Sequence, residues 1–182
     1  MKIVGGKFGG RRLNTPKNND IRPTSDKIRG AVFNMLQSRG ALDNVRVLDA
    51  FCGTGALGLE ALSRGASHCT FIDKARSSLD LTKENADMLN VMDDCAFTLK
   101  DASKMGNIAD SYDLIFLDPP YNKGLINITL EALIAGDWLA PKGWLICETE
   151  KNFNYTPIKD LTLDSEKTYG DTKIIILQSC KA

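Results

Sequence analysis

The five cysteines of this 182-residue chain (Cys52, Cys69, Cys95, Cys147 and Cys180) are scattered, and no Cys-x-x-Cys pair occurs. That spacing argues against a zinc site or a disulfide framework and fits reduced cytosolic thiols, so no metal is expected. There is a single histidine, His68, and its place at the start of an apolar run makes a structural role the expectation. No apolar stretch approaches the roughly 20 residues of a membrane span, so no membrane partner is expected. The opening Met1-Lys2-Ile3-Val4-Gly5-Gly6 has no apolar region of a signal peptide, which makes the cytoplasm the expected compartment. Internal repeats and low-complexity segments are also missing. With 23 basic and 23 acidic side chains, overall charge points to no class of partner.

The distribution of charge does. Residues 1–40 hold nine basic side chains against only Asp20 and Asp26, which leaves 14 basic and 21 acidic groups in the rest. A surplus of seven positive charges at the front suggests a polyanion contact confined to one end, against the alternative of a solvated basic tail. The 43% hydrophobic composition is enough for one globular domain spanning residues 1–182.

Patterning divides the chain into a preface and an alternating body. Lys2–Val4 and Arg11–Leu13 flank Gly5-Gly6 and Gly9-Gly10 and are expected to form a short hairpin. Residues 14–23 read as loop. Thr24 or Ser25 then caps a helix through about Leu36, with Ile28, Ala31, Val32, Met35 and Leu36 at helical spacing. Strands are expected at Val45–Asp49, His68–Asp73, Cys95–Leu99, Tyr112–Asp118 and Gly143–Glu148, and helices at Ala56–Arg64, Ala75–Leu89 and Leu125–Ala135. Two further β-prone runs, Leu161–Thr168 and Thr172–Ser179, are joined by Tyr169-Gly170-Asp171, a turn short enough to require an antiparallel pair. The expected fold class is α/β: a Rossmann-like, seven-stranded, mostly parallel sheet with an antiparallel last strand.

Two stretches carry chemistry. Asp49-Ala50-Phe51-Cys52-Gly53-Thr54-Gly55 links the first core strand to its helix, where glycines and the helix N-terminus let a ligand approach closely. Asp73 follows Gly53 by 20 residues at the next strand end, placed for a ribose diol, and Asp101-Ala102 follow the third strand, placed for an adenine amino group. Gly53-Thr54-Gly55-Ala56-Leu57-Gly58 also satisfies the dinucleotide pattern. Asp49, four positions before Gly53, would repel a pyrophosphate but favour the cationic methionine portion of S-adenosylmethionine. The second stretch, Asp118-Pro119-Pro120-Tyr121, follows the apolar run 114–117. The prolines remove two backbone donors, so Asp118 and the Pro119 carbonyl can both accept from one NH2 group while Tyr121 offers a face to a planar ring. Motif chemistry alone leaves adenine, cytosine, guanine and amide nitrogens open. A protein-glutamine methyltransferase, usually with Asn first in the motif, and a non-enzymatic nucleotide-binding module are the rivals. Carbon-5 pyrimidine methylation needs a cysteine nucleophile and no Pro-Cys pair occurs.

Val4-Gly5-Gly6, Gly10-Arg11-Arg12-Leu13, Arg22-Pro23-Thr24, Lys27, Arg29, Phe33-Asn34, Leu57–Ala66 and Tyr169-Gly170-Asp171-Thr172 together resemble the bacterial 16S rRNA guanine-N2 methyltransferase family, RsmD-type, within the class I S-adenosylmethionine-dependent methyltransferases. The resemblance runs over nearly the whole chain. It implies methyl transfer to the exocyclic N2 of one guanine of 16S rRNA, in a partly assembled small subunit, by a monomer that releases S-adenosyl-L-homocysteine.

Under that resemblance, residues 1–40 form a basic RNA-binding extension in which Arg11, Arg12, Arg22, Lys27 and Arg29 hold phosphates. Residues 41–182 form the S-adenosylmethionine-binding core. Asp118, Pro119, Pro120 and Tyr121 are the catalytic residues, and Asp49, Phe51, Gly53, Thr54, Gly55, Asp73, Asp101 and Ala102 the cofactor residues. Cys52 and Asp73 depart slightly from the family pattern, where Ala and Glu are frequent, and Glu148 and Glu150 receive no role.

Overall fold

The computed structural model describes residues 1–16, 25–121 and 123–181. Its helices and strands follow as α1 (Asp26–Ser38), β1 (Arg46–Asp49), α2 (Ala56–Ser63), β2 (His68–Asp73), α3 (Arg76–Met88), β3 (Cys95–Leu99), β4 (Tyr112–Leu117), α4 (Leu125–Ala135), β5 (Leu139–Glu150), β6 (Leu161–Tyr169) and β7 (Thr172–Ser179). The seven strands form one sheet in the order β3-β2-β1-β4-β5-β7-β6. β1 to β5 pair in parallel, and β7 runs antiparallel to both β5 and β6. The reversal falls at the Tyr169–Thr172 turn, as its shortness requires.

Side chains alternate across this sheet. Leu114 and Phe116 of β4 pack with Phe33, Leu36, Leu59 and Leu79, so α1, α2 and α3 cover one face. Ile115 and Leu117 pack with Leu130 and Leu133 of α4 on the other. α1 starts where Ser25 accepts from the Ile28 amide at 3.2 Å, a side-chain cap as expected. Gly58 of α2 allows helix and sheet to touch, since a Cβ there would lie 2.4 Å from the Phe71 ring and 2.5 Å from Cys69 Sγ. That close approach explains the third glycine of the fingerprint without a dinucleotide.

β5 departs from expectation by starting at Leu139 instead of Gly143. Its register against β4 passes from Tyr112–Leu139 to Leu114–Trp144, so residues 140–143 form a bulge, with Lys142 at φ 59°. Pro141 is tolerated there because a bulge needs no ladder donor.

The preface is less regular than a hairpin. A single antiparallel bridge joins Lys2 to Arg12, and a 3-10 turn spans Gly6–Phe8. What fixes it is Glu60 of α2, which accepts from the amides of Val4 (2.6 Å) and Gly5 (2.8 Å) and pairs with Arg64 Nε (2.7 Å) and Arg29 Nε (3.6 Å). Arg29 also pairs with Asp26 at 2.7 Å and donates to the Lys2 carbonyl. Expected to hold an RNA phosphate, Arg29 is instead 0% exposed and ties α1, α2 and the preface together, so that expectation is corrected. A helical wheel including Phe33 reveals why: Arg29, Val32, Phe33 and Leu36 form the buried stripe of α1.

Removing Glu60 takes a buried counter-charge from Arg29 and Arg64 together with the acceptor of the Val4 and Gly5 amides, and Glu60→Ala is expected to cost about 3–5 kcal/mol in urea denaturation. By contrast Lys151 and Asp171 pair at 2.9 Å with side chains 51% and 62% exposed, so Asp171→Ala should change stability by no more than about 0.5 kcal/mol. Similar losses for both variants would contradict the buried-anchor role of Glu60.

Candidate active site

β1 lies between β2 and β4, the place where the chain's winding direction reverses. Ligands in open α/β sheets sit at such a switch point, outside the carboxyl ends of the strands. A cleft of about 460 Å³ opens there, lined by Phe51, Cys52, Gly53 and Thr54 after β1, Asp73 after β2, Asp101 after β3, Asp118-Pro119-Pro120-Tyr121 after β4, and Glu148 near the end of β5. Met1 from the preface and Arg29 from α1 contribute to its wall. The cofactor loop and the Asp-Pro-Pro-Tyr quartet, 69 residues apart in their first members Asp49 and Asp118, therefore face one space.

Asp49 lies under the loop, 1% exposed. Its Oδ2 accepts from the Gly58 amide at 3.0 Å, satisfying one orphan donor of the first turn of α2, while its Oδ1 is buried with no hydrogen-bond partner among the described residues. Burial pushes its carboxyl up to about 7, against the Gly58 hydrogen bond that lowers it. Asp49 does not itself line the cleft, so it would act on a cationic group there through its charge and not by contact. Gly55, at φ 78°, is the left-handed residue that turns the loop into α2. Expected to meet the cofactor, it does not itself line the cleft.

Asp73 accepts from the Gly53 amide at 3.1 Å and the Ala75 amide at 2.8 Å, so the acid expected to meet a ribose also holds the loop in shape. Asp101 accepts from the Ser103 amide (3.0 Å) and hydroxyl (2.7 Å), and these bonds hold its carboxyl below the usual range. Ala102 turns its methyl into the core beneath α4, leaving Asp101 as the lining member of that pair. Cys52 sits beside Thr82 Oγ1 at 3.5 Å, and burial, reinforced by Asp49, pushes its thiol well up, which fits packing better than a thiolate nucleophile.

In the quartet, Pro119 is buried, Pro120 exposed, and Asp118 and Tyr121 half-buried. Tyr121 is held from two strands: its hydroxyl lies 3.0 Å from Glu148 Oε1, to which it donates, and 2.9 Å from Thr172 Oγ1. Burial, with Glu148 and Asp118 adding to it, raises the phenol above its ordinary value, so it remains a donor. Glu148 is 7% exposed and lines the cleft. The residue pattern assigns it no role, yet a carboxylate ending the apolar run 144–147 of a central strand is a visible signal.

Arg11, Arg12 and Lys27 are exposed. Arg11 lies over the Phe8 ring at 5.9 Å and donates to the Met88 carbonyl at 3.3 Å. Arg22 lies outside the described residues. Among the described residues no helix is long and apolar enough to cross a membrane.

Comparison with known proteins places this geometry. A family model described as "Conserved hypothetical protein 95" matches residues 1–178. Ribosomal RNA small subunit methyltransferase D of Escherichia coli (strain K12) is 31% identical over 179 residues, covering 98% of this chain and 89% of that protein. Its namesake in Haemophilus influenzae is 31% identical over 174 residues, with 93% and 89% covered. Among solved structures, the yhhF protein of E. coli is similar with a TM-score of 0.86 at 29% identity, covering 100% of this chain and 98% of that one. Magnesium protoporphyrin IX methyltransferase from Synechocystis, solved with bound S-adenosylmethionine, has a TM-score of 0.66 at 15% identity over 84% of this chain and 78% of that one, a likeness of fold alone.

The buried acid under the loop has a consequence for stability. With Asp49 at about 7 in the folded chain and 3.8 ordinarily, the folded state holds a proton between these values that the unfolded chain has released. Stability therefore falls as pH rises through that window. Asp49→Asn removes the penalty and should be more stable than the parent at pH 8 by on the order of 4 kcal/mol, with the two converging near pH 4. Urea denaturation across this range checks it, and equal stabilities at pH 8 would contradict an ionised carboxylate buried at this site.

Proposed function

We propose, because the chain belongs to the conserved hypothetical protein 95 (RsmD) family, that it transfers a methyl group from S-adenosylmethionine to the exocyclic N2 of one guanine in 16S rRNA. One observation carries this most directly: the Asp118–Tyr121 quartet and residues 51–54 of the loop share a single cleft. The fold is that of the class I methyltransferases.

The residues present fit the cofactor. Gly53 and Thr54 approach it with backbone, Asp73 accepts from a ribose diol, Asp101 meets the adenine side, and Phe51 supplies an apolar wall. Asp49, with its orphaned Oδ1, answers the positive charge of the methionine portion. Bound there, S-adenosylmethionine supplies a methyl group on a sulfonium, a leaving group that needs neither metal nor covalent nucleophile.

The protein's own work is orientation. The N2 lone pair of guanine is delocalised into the ring. Asp118 and the Pro119 carbonyl accept its two hydrogens, favouring a pyramidal nitrogen with its lone pair exposed. Both oxygens also stabilise the aminium that forms, and Asp118, already accepting one of its hydrogens, takes up the extra proton and passes it to solvent. Tyr121, held by Glu148 and Thr172, presents its ring to the base, which must leave its stack to reach the cleft. Arg11, Arg12 and Lys27 bind phosphates and supply affinity without base identity. Residues 1–182 then act as one methyltransferase domain, a monomer working in the cytoplasm on a partly assembled small subunit, with residues 1–40 as its RNA-binding extension and 41–182 as its core.

With small-subunit particles as substrate, Asp118→Ala should reduce methyl transfer by at least about 1,000-fold while S-adenosylmethionine still binds. Unaltered turnover would remove Asp118 from the reaction. Replacing Arg11 and Arg12 together by Ala should weaken RNA binding and flatten its salt dependence. The slope should fall by about 0.7 log units per decade of salt for each single-strand phosphate left unneutralised. An unchanged slope would mean these arginines are merely solvated.

A further inference from the structure

Asp118 and the Pro119 carbonyl accept from an NH2 group, and adenine, cytosine and guanine all carry one. What separates the three bases is the ring atom next to it. In adenine and cytosine the ring nitrogen beside the Watson–Crick face of the amine is an acceptor (N1 or N3), whereas in guanine N1 carries a hydrogen and is a donor. A site for guanine N2 therefore needs a second acceptor beside the quartet, and a carboxylate there would repel the lone pair of the wrong base.

The cleft contains one. β4 and β5 pair in parallel with Leu117 opposite Cys147, and one residue further along each strand stand Asp118 and Glu148. Glu148 is 7% exposed and lines the same cleft as all four members of the quartet. Its position is fixed, since Oε1 accepts from the Tyr121 hydroxyl at 3.0 Å, and that hydroxyl is itself 2.9 Å from Thr172 Oγ1. A carboxylate has about four lone-pair directions over two oxygens, so it can accept from a base edge beside the partners it already has.

We propose that Glu148 is the guanine-selecting residue, accepting a hydrogen bond from guanine N1–H while Asp118 and the Pro119 carbonyl hold N2. This rests on guanine-N2 transfer being the function of the cleft. The Tyr121–Glu148 bond then couples two tasks: the ring that faces the base and the carboxylate that reads its edge are set by one hydrogen bond. A buried carboxylate that finds N1–H is satisfied, and one that meets a lone pair is left facing like charge, so discrimination follows from the cost of the wrong pairing.

The test compares small-subunit particles whose target position carries either guanine or 2-aminopurine, which keeps the 2-amino group but has an acceptor at N1. Wild-type protein should prefer guanine in kcat/KM by at least about 100-fold. Glu148→Gln keeps the shape and an acceptor for Tyr121 while its amide can donate to the analogue's N1, so the preference should shrink by about tenfold or more. Tyr121→Phe removes the hydroxyl that positions Glu148 but leaves the carboxylate in the cleft, so it should slow both substrates and lower the ratio by less than Glu148→Gln does. Equal slowing of both substrates by Glu148→Gln would overturn the proposal, leaving Glu148 as a positioning residue for Tyr121. A loss of preference in Tyr121→Phe matching that in Glu148→Gln would overturn it in the same way. Should Glu148→Gln fail to fold, the wild-type ratio decides, and a value near one refutes selection through N1. No transfer to guanine by wild-type protein would instead remove guanine-N2 transfer itself, a failure distinct from the others.

Discussion

The parallel pairing of β1 with β4 is the constraint on which the rest depends. Asp49 stands opposite Phe116 in that register, and the Ala50 amide donates to the Phe116 carbonyl at 3.1 Å. Two stretches distant in the chain, the loop after β1 and the quartet after β4, therefore emerge side by side. β2 lies on the other side of β1 and brings Asp73 to the same edge. A slip of one residue would exchange the two faces of β4, sending Leu114 and Phe116 away from α1–α3, so the packing that stabilises the sheet also sets the active-site geometry.

The electrostatics of the cleft follow from where these strands end. Asp73, Asp101, Asp118 and Glu148 line one space with Asp49 buried beneath the loop, and four of the five are visibly restrained by their surroundings. Asp49 is buried against the first turn of α2, Asp73 and Asp101 accept backbone amides, and Glu148 accepts from Tyr121. Such an acidic lining disfavours a diphosphate and favours a cationic cofactor and an amine substrate. The preface adds a second layer, because its attachment to α2 through Glu60 and Arg29 brings Met1 to the cleft wall. The exposed basic side chains of the preface are thus carried on a segment anchored to the same helix whose first turn Asp49 caps.

Much of this is legible in the residues because each signal is local. The alternation of apolar runs and helical stripes, the Ser25 cap and the short Tyr169–Thr172 turn are properties of a few neighbours, whereas the strand order depends on pairings between distant segments. β5 reads short in sequence because Ala140-Pro141-Lys142-Gly143 looks like a turn, and only pairing with β4 shows it to be a bulge. Arg29 misleads because a basic side chain in a basic segment reads as a phosphate ligand, whereas its counter-charge Glu60 lies on another helix, 31 residues away. Glu148 escapes notice for a similar reason: its meaning comes from Tyr121 and Thr172, which reach it only once β4, β5 and β7 are aligned.

The most direct test of the account is to map methylated nucleotides in 16S rRNA from a strain lacking this chain, with and without the chain restored. The account predicts one guanine that loses its N2-methyl group in the deletion and regains it on restoration. An unchanged pattern of guanine methylation, or a restored methyl group found on an adenine, a cytosine or a protein amide, would contradict it.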